Sequence, residues 1–180
     1  MTRSPSLVPS PAPAPAPLPL IRLASPDDLN AICRLDTDSF PVADRFPRRT
    51  WRLLLGASAQ SQSSLTLVAT GPEPLPLLGA INLLLRRGSK VVRIYSIAVA
   101  AAARGRGLAR HLIAAAEARL PPHITAISLE VRADNEAARA LYHRVGFTLV
   151  APLPGYYADG ADGVRLRVGR AALRSHVGPP

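Results

Sequence analysis

The stretch Val91 to Val99 alternates as a strand does. The chain then runs through Ala100 to Ala103 into Arg104-Gly105-Arg106-Gly107-Leu108-Ala109-Arg110, and an Ala- and Leu-rich run follows until Pro121-Pro122. This segment constrains the fold more than any other, because the period must switch from 2 to 3.6 within a few residues. Glycines at the switch allow a left-handed backbone and the close approach of a ligand. The first N–H groups of the helix have no intrahelical acceptor and lie at its positive end, where phosphate binds. Arg104, Arg106 and Arg110 add guanidiniums there, so a pyrophosphate is the natural fit and a plain tight turn the alternative. The dinucleotide pattern G-x-G-x-x-G fails, since Arg110 stands at its third glycine, and the turn comes mid-chain rather than after a first strand. The P-loop pattern is absent.

Around this turn the patterning predicts a mixed α/β domain. Ile21 to Leu23 is expected as a strand, and Ser25-Pro26-Asp27-Asp28 as the start of a helix carrying Leu29, Ile32, Cys33 and Leu35 inward. A second helix over Pro47 to Leu55 turns Trp51 and Leu54 inward and Arg48, Arg49 and Arg52 outward. Strands are expected at Ser64–Thr70, Leu77–Arg86 and Val91–Val99, the last two joined by a hairpin at Arg86 to Lys90. After the glycine-opened helix come a strand over Ile124–Val131 and a helix over Asp134–Val145 with Asp134 as N-cap and Gly146 at C′. Strands at Phe147–Val150 and Val164–Val168 close the domain.

Composition bounds what such a domain can do. Seven of the 19 prolines fall within the first 20 residues, where Pro-Ala alternation excludes helix and central strand, so residues 1–20 are expected to be a disordered tail. The domain is expected over 21–170, with a flexible tail over 171–180. Hydrophobic residues make up 48% of the chain, enough for a packed core. The single cysteine, Cys33, excludes an internal disulfide framework and a multi-cysteine metal site, and is expected in the core. No metal site is expected, and Asp159 and Asp162 read as a turn rather than a calcium loop. No apolar run is long enough for a transmembrane helix and no signal peptide is recognisable, which predicts a protein of the cytoplasm. A formal charge of +10 favours an anionic partner. With 4% aromatics and no RNA-binding signature, that partner is expected to be a phosphate-bearing cofactor rather than nucleic acid.

The sequence RGRGLA (Arg104 to Ala109) resembles the R-x-x-G-x-G/A signature of the GNAT superfamily of acyl-CoA-dependent N-acetyltransferases. LEVRADNEAARALYHRVGF (Leu129 to Phe147) resembles the superfamily's second block at the matching spacing, and SIAV (Ser96 to Val99) its fourth strand. The resemblance implies a GNAT fold: a central mixed, mostly antiparallel sheet of about six or seven strands, flanked by about four helices and splayed between the fourth and fifth strands. The second block most resembles the protein N-terminal acetyltransferases, including the bacterial group acting on the N-terminal alanine of a ribosomal protein. Tyr156-Tyr157 matches a later double tyrosine.

By that resemblance Glu130 is the candidate general base and Tyr142 the candidate general acid. Acetyl-CoA contacts are implied at Ile97, Ala98 and Val99, along Arg104, Gly105, Arg106, Gly107, Leu108, Ala109 and Arg110, and at Asn135. The chemistry needs such groups. A protonated amine must lose a proton before attacking a thioester, and a phenol helps a thiolate leave. Each residue also has a structural reading: Glu130 as a solvent-side strand residue, Tyr142 as a packing ring, Asn135 as part of a helix start, His111 and His143 as surface or capping groups. The acceptor is expected to be the α-amine of a protein or peptide, with a small amine or a lysine side chain as alternatives. A basic RNA- or ribosome-binding module without catalysis is the rival class. Asp36, Asp38 and Asp44 suit a cationic acceptor, whereas Arg45, Arg48, Arg49 and Arg52 repel one. The protein is expected as a monomer or homodimer, with no membrane partner.

Overall fold

The computed structural model describes residues 19–71 and 77–177. Seven strands form one sheet: β1 (Leu20–Leu23), β2 (Ser64–Thr70), β3 (Gly79–Leu84), β4 (Val91–Val99), β5 (Ala126–Arg132), β6 (Thr148–Leu153) and β7 (Gly163–Gly169). Their order is β1-β2-β3-β4-β5-β7-β6, and every neighbouring pair is antiparallel except β4–β5. The helices are α1 (Leu29–Ser39), α2 (Arg48–Leu55), α3 (Ala57–Gln60), α4 (Leu108–Ala118), α5 (Glu136–Arg144) and α6 (Arg170–Val177), with short 3-10 turns at Pro26–Asp28, Val42–Asp44 and Ala101–Ala103. The seven strands and the mixed sheet match the expected architecture.

Two cores cover the two faces of the sheet. On one, Ile32 and Leu35 of α1 and Trp51, Leu54 and Leu55 of α2 pack on Val68, Ala80 and Ala98. On the other, α4 buries Leu108, Leu112 and Ile113 against Leu67, Ile81, Leu83, Val92 and Ile94, joined by Tyr142, Val145 and Phe147 at α5 and by Leu173 of α6. Cys33 is half-buried at the edge of the α1–α2 core, a packing residue.

A β-bulge places β4's side chains on these faces. Asn82 pairs with Ser96 and Leu83 with Ile94, so Tyr95 has no partner in the ladder. One extra residue flips the side-chain parity. Val92 and Ile94 therefore face the α4 core, while Tyr95 packs with Ala98 on the α1–α2 side. Gly88, at φ +75°, makes the turn before β4, where Ser89 N–H donates to Arg86 O at 3.0 Å.

Three expectations are corrected. α5 is capped by Asn135 rather than Asp134: the Asn135 Oδ1 accepts from Ala138 N–H at 3.0 Å, leaving Asp134 one residue outside the helix. The chain from 171 to 177 does not begin a flexible tail but continues as α6, because Leu173 and Val177, one turn apart, are buried in the main core. The helix count rises accordingly from about four to six, the two additions being the four-residue α3 and the eight-residue α6. Of the tail expected over residues 1–20, residues 1–18 lie outside the described residues, as do 178–180, and Leu20 already belongs to β1.

Candidate active site

The parallel pair opens before it ends. β4 and β5 pair only at Val91–Ala126, Val92–Ile127 and Arg93–Ser128, although β4 runs to Val99 and β5 to Arg132. Beyond Arg93 each strand stays paired on its outer side, β4 to β3 and β5 to β7, so a gap opens between them. Ala100 N–H donates to Leu78 O at 2.9 Å. By the alternation of an antiparallel ladder, the backbone N–H and C=O groups of Ile97 and Val99 then point away from β3 into the gap. The Val99 carbonyl is taken there by Arg104 Nε at 3.0 Å. The Val99 and Ile97 amides remain.

The glycine turn follows directly from the open strand. Gly105 and Gly107 have φ +73° and +79°, left-handed values that explain why the turn needs glycine. A Cβ on Gly105 would meet no atom within 4 Å, and one on Gly107 only His111 at 3.9 Å, so the space over the turn is open. Gly107 is the N-cap of α4, and His111 N–H is the first in the helix to find an acceptor, Gly107 O. The amides of Leu108, Ala109 and Arg110 are thus left for an anion. Arg106 is exposed. Arg110 is already engaged, its Nη2 donating to Val177 O at the end of α6 at 2.9 Å. That bond gives its guanidinium a structural task that its place in the motif does not reveal.

A cleft of about 540 Å³ runs through the gap and is lined by Ile97, Glu130, Asn135 and Tyr142 together with the loop after α1 and Tyr156-Tyr157. The turn residues Arg104 to Arg110 and Ala98 and Val99 are not among its lining. Leu129 and Val131 are buried toward α4, so Glu130 points to the opposite side of the sheet, while Tyr142 belongs to the α4-side core. The gap lets one cleft reach both. Tyr142 stands edge-on to Phe147. Burial, and then the neighbouring Tyr157, push its hydroxyl well above the ordinary tyrosine value, so it keeps its proton.

The Glu130 side chain is almost wholly buried and does not stand alone. Its Oε1 accepts from Arg165 Nε, directly across the β5–β7 pair, at 2.9 Å. Its Oε2 lies 2.5 Å from Arg93 Nε, outside hydrogen-bond alignment, which makes this a charge contact. Arg93 Nη2 in turn donates to Tyr156 OH at 2.9 Å. A second group ties the cleft's walls: Arg132 binds both oxygens of Asp44 at 3.0 and 3.1 Å, pairs with Asp159, and lies over the Tyr157 ring at 4.6 Å. Burial and then the Asp44 charge push Tyr157 up to about 12. Arg132 holds Asp159 below the usual carboxylate range. Asp36 is buried away from the cleft, receiving Phe46 N–H at 3.1 Å, and burial raises its carboxyl. Sequence reasoning passed over Arg93 and Arg132. The signal was there in Arg93, a guanidinium inside an otherwise apolar strand, which requires a partner. Among the described residues no group of three or more His, Cys, Asp or Glu side chains is placed to hold a metal ion.

Comparison with known proteins agrees with this geometry. The family described as "Acetyltransferase (GNAT) family" matches residues 29–147. An N-alpha-acetyltransferase of Saccharolobus solfataricus is 41% identical over 81 residues, 44% of this chain and 46% of that protein. One from Arabidopsis thaliana is 38% identical over 66 residues, 36% of this chain and 35% of that protein. The matches therefore span less than half of either relative. Among solved structures, the ribosomal-protein-S18-alanine N-acetyltransferase of Escherichia coli superposes with a TM-score of 0.70 at 23% identity, over 83% of this chain and 92% of that one. The spermidine/spermine N-acetyltransferase of Vibrio cholerae superposes at 0.68 and 20% identity, over 86% and 94%. At these identities the two structures share the fold and nothing more is carried over from them.

Proposed function

The chain belongs to the acetyltransferase (GNAT) family, and on that premise we propose that it transfers the acetyl group of acetyl-CoA to the α-amine of a protein or peptide, both substrates being bound together. The observation that carries the reading is the gap itself: free amides at its β4 edge, an ionic carboxylate on one side and a protonated phenol on the other. Acetyl-CoA supplies an activated acyl thioester. The open amides of Leu108, Ala109 and Arg110, with Arg104 and Arg106 beside them, suit its pyrophosphate. The Ile97 and Val99 amides suit its pantetheine arm and acyl oxygen. The Asn135 side-chain oxygen is spent on its helix cap, which leaves its amide group for a contact in the cleft.

Glu130 receives the amine's proton, directly or through a water, and Tyr142 donates to the departing sulfur. Holding both reactants in one cleft supplies much of the acceleration. Direct transfer is favoured over an acyl-cysteine route because Cys33 packs in the α1–α2 core and burial raises its thiol. Two N-alpha-acetyltransferases among the relatives favour the α-amine over a lysine or a small amine. No helix among the described residues is long and apolar enough to cross a membrane.

The test is acetyl-CoA-dependent thiol release with free α-amine peptides, lysine peptides with blocked N-termini, and small amines, each product checked by mass for one acetyl group. Turnover confined to the α-amine peptides is the expected result; turnover on small amines alone overturns the acceptor. Gly107→Val is expected to raise the acetyl-CoA Kd at least about tenfold, since a β-branched residue at φ +79° is strained and its methyls enter the space over the free amides. Calorimetric titration with acetyl-CoA checks it, and an unchanged Kd removes the turn from the cofactor site.

A further inference from the structure

Resting on the α-amine reading, we infer that the acceptor carries an acidic side chain at its first or second residue and that Arg93 reads it. The cleft's carboxylates already face guanidiniums, although the contact of Glu130 Oε2 with Arg93 is one of charge without hydrogen-bond alignment. Glu130 has Arg93 on one oxygen and Arg165 on the other, and Asp44 has Arg132 on both. Asp36, which the sequence offered as a site for a cationic acceptor, is 3% exposed and bound to the Phe46 amide. A second positive charge on the acceptor therefore finds no open carboxylate in the lining.

The guanidiniums are not satisfied to the same degree. Arg93 spends Nε on Glu130 and Nη2 on Tyr156, its Nη1 has no hydrogen-bond partner among the described residues, and its side chain is 40% exposed. Arg45, also in the lining, spends Nε on the Phe40 carbonyl at 2.9 Å and makes no ion pair among the described residues. Three guanidiniums, Arg45, Arg93 and Arg132, thus line the cleft against the two carboxylates Asp44 and Glu130. Because Arg93 touches the carboxylate assigned to the amine, a carboxylate reaching Arg93 belongs to a residue close to that amine. A guanidinium edge in a partly enclosed cleft discriminates a carboxylate from its neutral amide through a charge-assisted hydrogen bond.

The experiment compares kcat/KM for peptides identical except for Asp against Asn, or Glu against Gln, or Lys, at the first or second position, with spermidine, glutamate and glutamine as small acceptors. An acidic peptide is expected to exceed its amide twin by about tenfold or more. Raising the salt from about 0.05 to 0.5 M should shrink that ratio. Arg93→Gln brings the ratio close to one, and Arg93→Lys, which keeps the charge, retains a part of it. Only the ratio is compared, because Arg93 also touches Glu130. Peptide turnover with equal rates for acid and amide, or with lysine preferred, overturns this inference and leaves the α-amine reading intact. Turnover on small amines alone overturns the α-amine reading. Spermidine favoured over glutamate in that case overturns the charge preference too, whereas glutamate favoured over glutamine upholds it.

Discussion

Glu130→Gln and Tyr142→Phe each lower kcat by about 10²- to 10⁴-fold, the range for loss of a positioned acid or base, while the acetyl-CoA Kd changes by less than about threefold. The two losses differ in their pH dependence. The α-amine of a peptide titrates near 7.7–8.0, so above that range the acceptor arrives already deprotonated. If Glu130 accepts the proton, the Glu130→Gln deficit shrinks as the pH rises through the amine's own titration. If Glu130 serves instead to hold Arg93, which its contact with that guanidinium would equally allow, the deficit stays constant with pH. Tyr142 carries its proton to well above the ordinary tyrosine value of about 10. Wild-type kcat should therefore show no basic limb from Tyr142 below that range, and Tyr142→Phe should lower the whole profile evenly. Loss of acetyl-CoA binding in both variants would remove both residues from the chemistry. Thermal melting separates this from unfolding, since Tyr142 also fills the core beside Phe147.

Glu130 and Tyr142 were expected only through the resemblance of their segment to the family's second block, whereas the glycine turn was legible in the residues themselves. The turn at Gly105 and Gly107 needs two left-handed residues within three positions, and few sequences other than Gly-x-Gly meet that need. β2 and β4 were legible to the residue, β2 running up to Gly71 and β4 starting after the Gly88-Ser89 turn. The inward Trp51 and Leu54 followed from helical spacing. The bulge at Tyr95 left no such mark. β4 packs on a core at each face, with Val92 and Ile94 on the α4 side and Tyr95 and Ala98 on the α1–α2 side, so the parity shift leaves no break in the pattern. The Asp44–Arg132–Asp159 group was equally hidden, since it joins residues 88 and 27 positions apart that meet only once the sheet has folded. Asp134 and Asn135 are both good caps, and the choice between them turned on which oxygen reaches Ala138. In α6 the spacing of Leu173 and Val177 was readable, but it lay in a segment assigned to a tail because Gly-Pro-Pro ends the chain.

Glu117→Ala is expected to destabilise the protein by about 3 kcal/mol, the scale for removing one partner of a buried ion pair, and to lower Tm by roughly 10 °C. Glu117 lies in the last turn of α4 and is 5% exposed. Its Oε1 accepts from Arg170 Nε at 2.6 Å and from Arg174 Nε at 2.9 Å. Arg170, itself largely buried, also donates to the carbonyls of Glu117, Pro121 and Ile124, so one guanidinium closes the C-terminal end of α4 and the loop after it. Removing the carboxylate leaves that guanidinium buried on neutral carbonyls alone. Burial by itself would raise the Glu117 carboxyl, but hydrogen bonds from Arg174 and Arg170 hold it below the usual carboxylate range. A carboxyl depressed in the folded state stabilises fully above its unfolded value and loses that contribution as the pH falls through the folded one. The stability gap between the wild type and Glu117→Gln should therefore be constant from about pH 6 to 8 and narrow below about pH 4. Melting curves across that range check it, and a gap under about 1 kcal/mol at pH 7 would mean that the carbonyls alone hold Arg170. The consequence reaches the active site, because α6 grips α4 at both ends: Arg170 at Glu117, and Val177 O at Arg110 in the first turn. The helix that presents its free amides at the glycine turn is thus positioned by the segment whose sequence looked most like a tail.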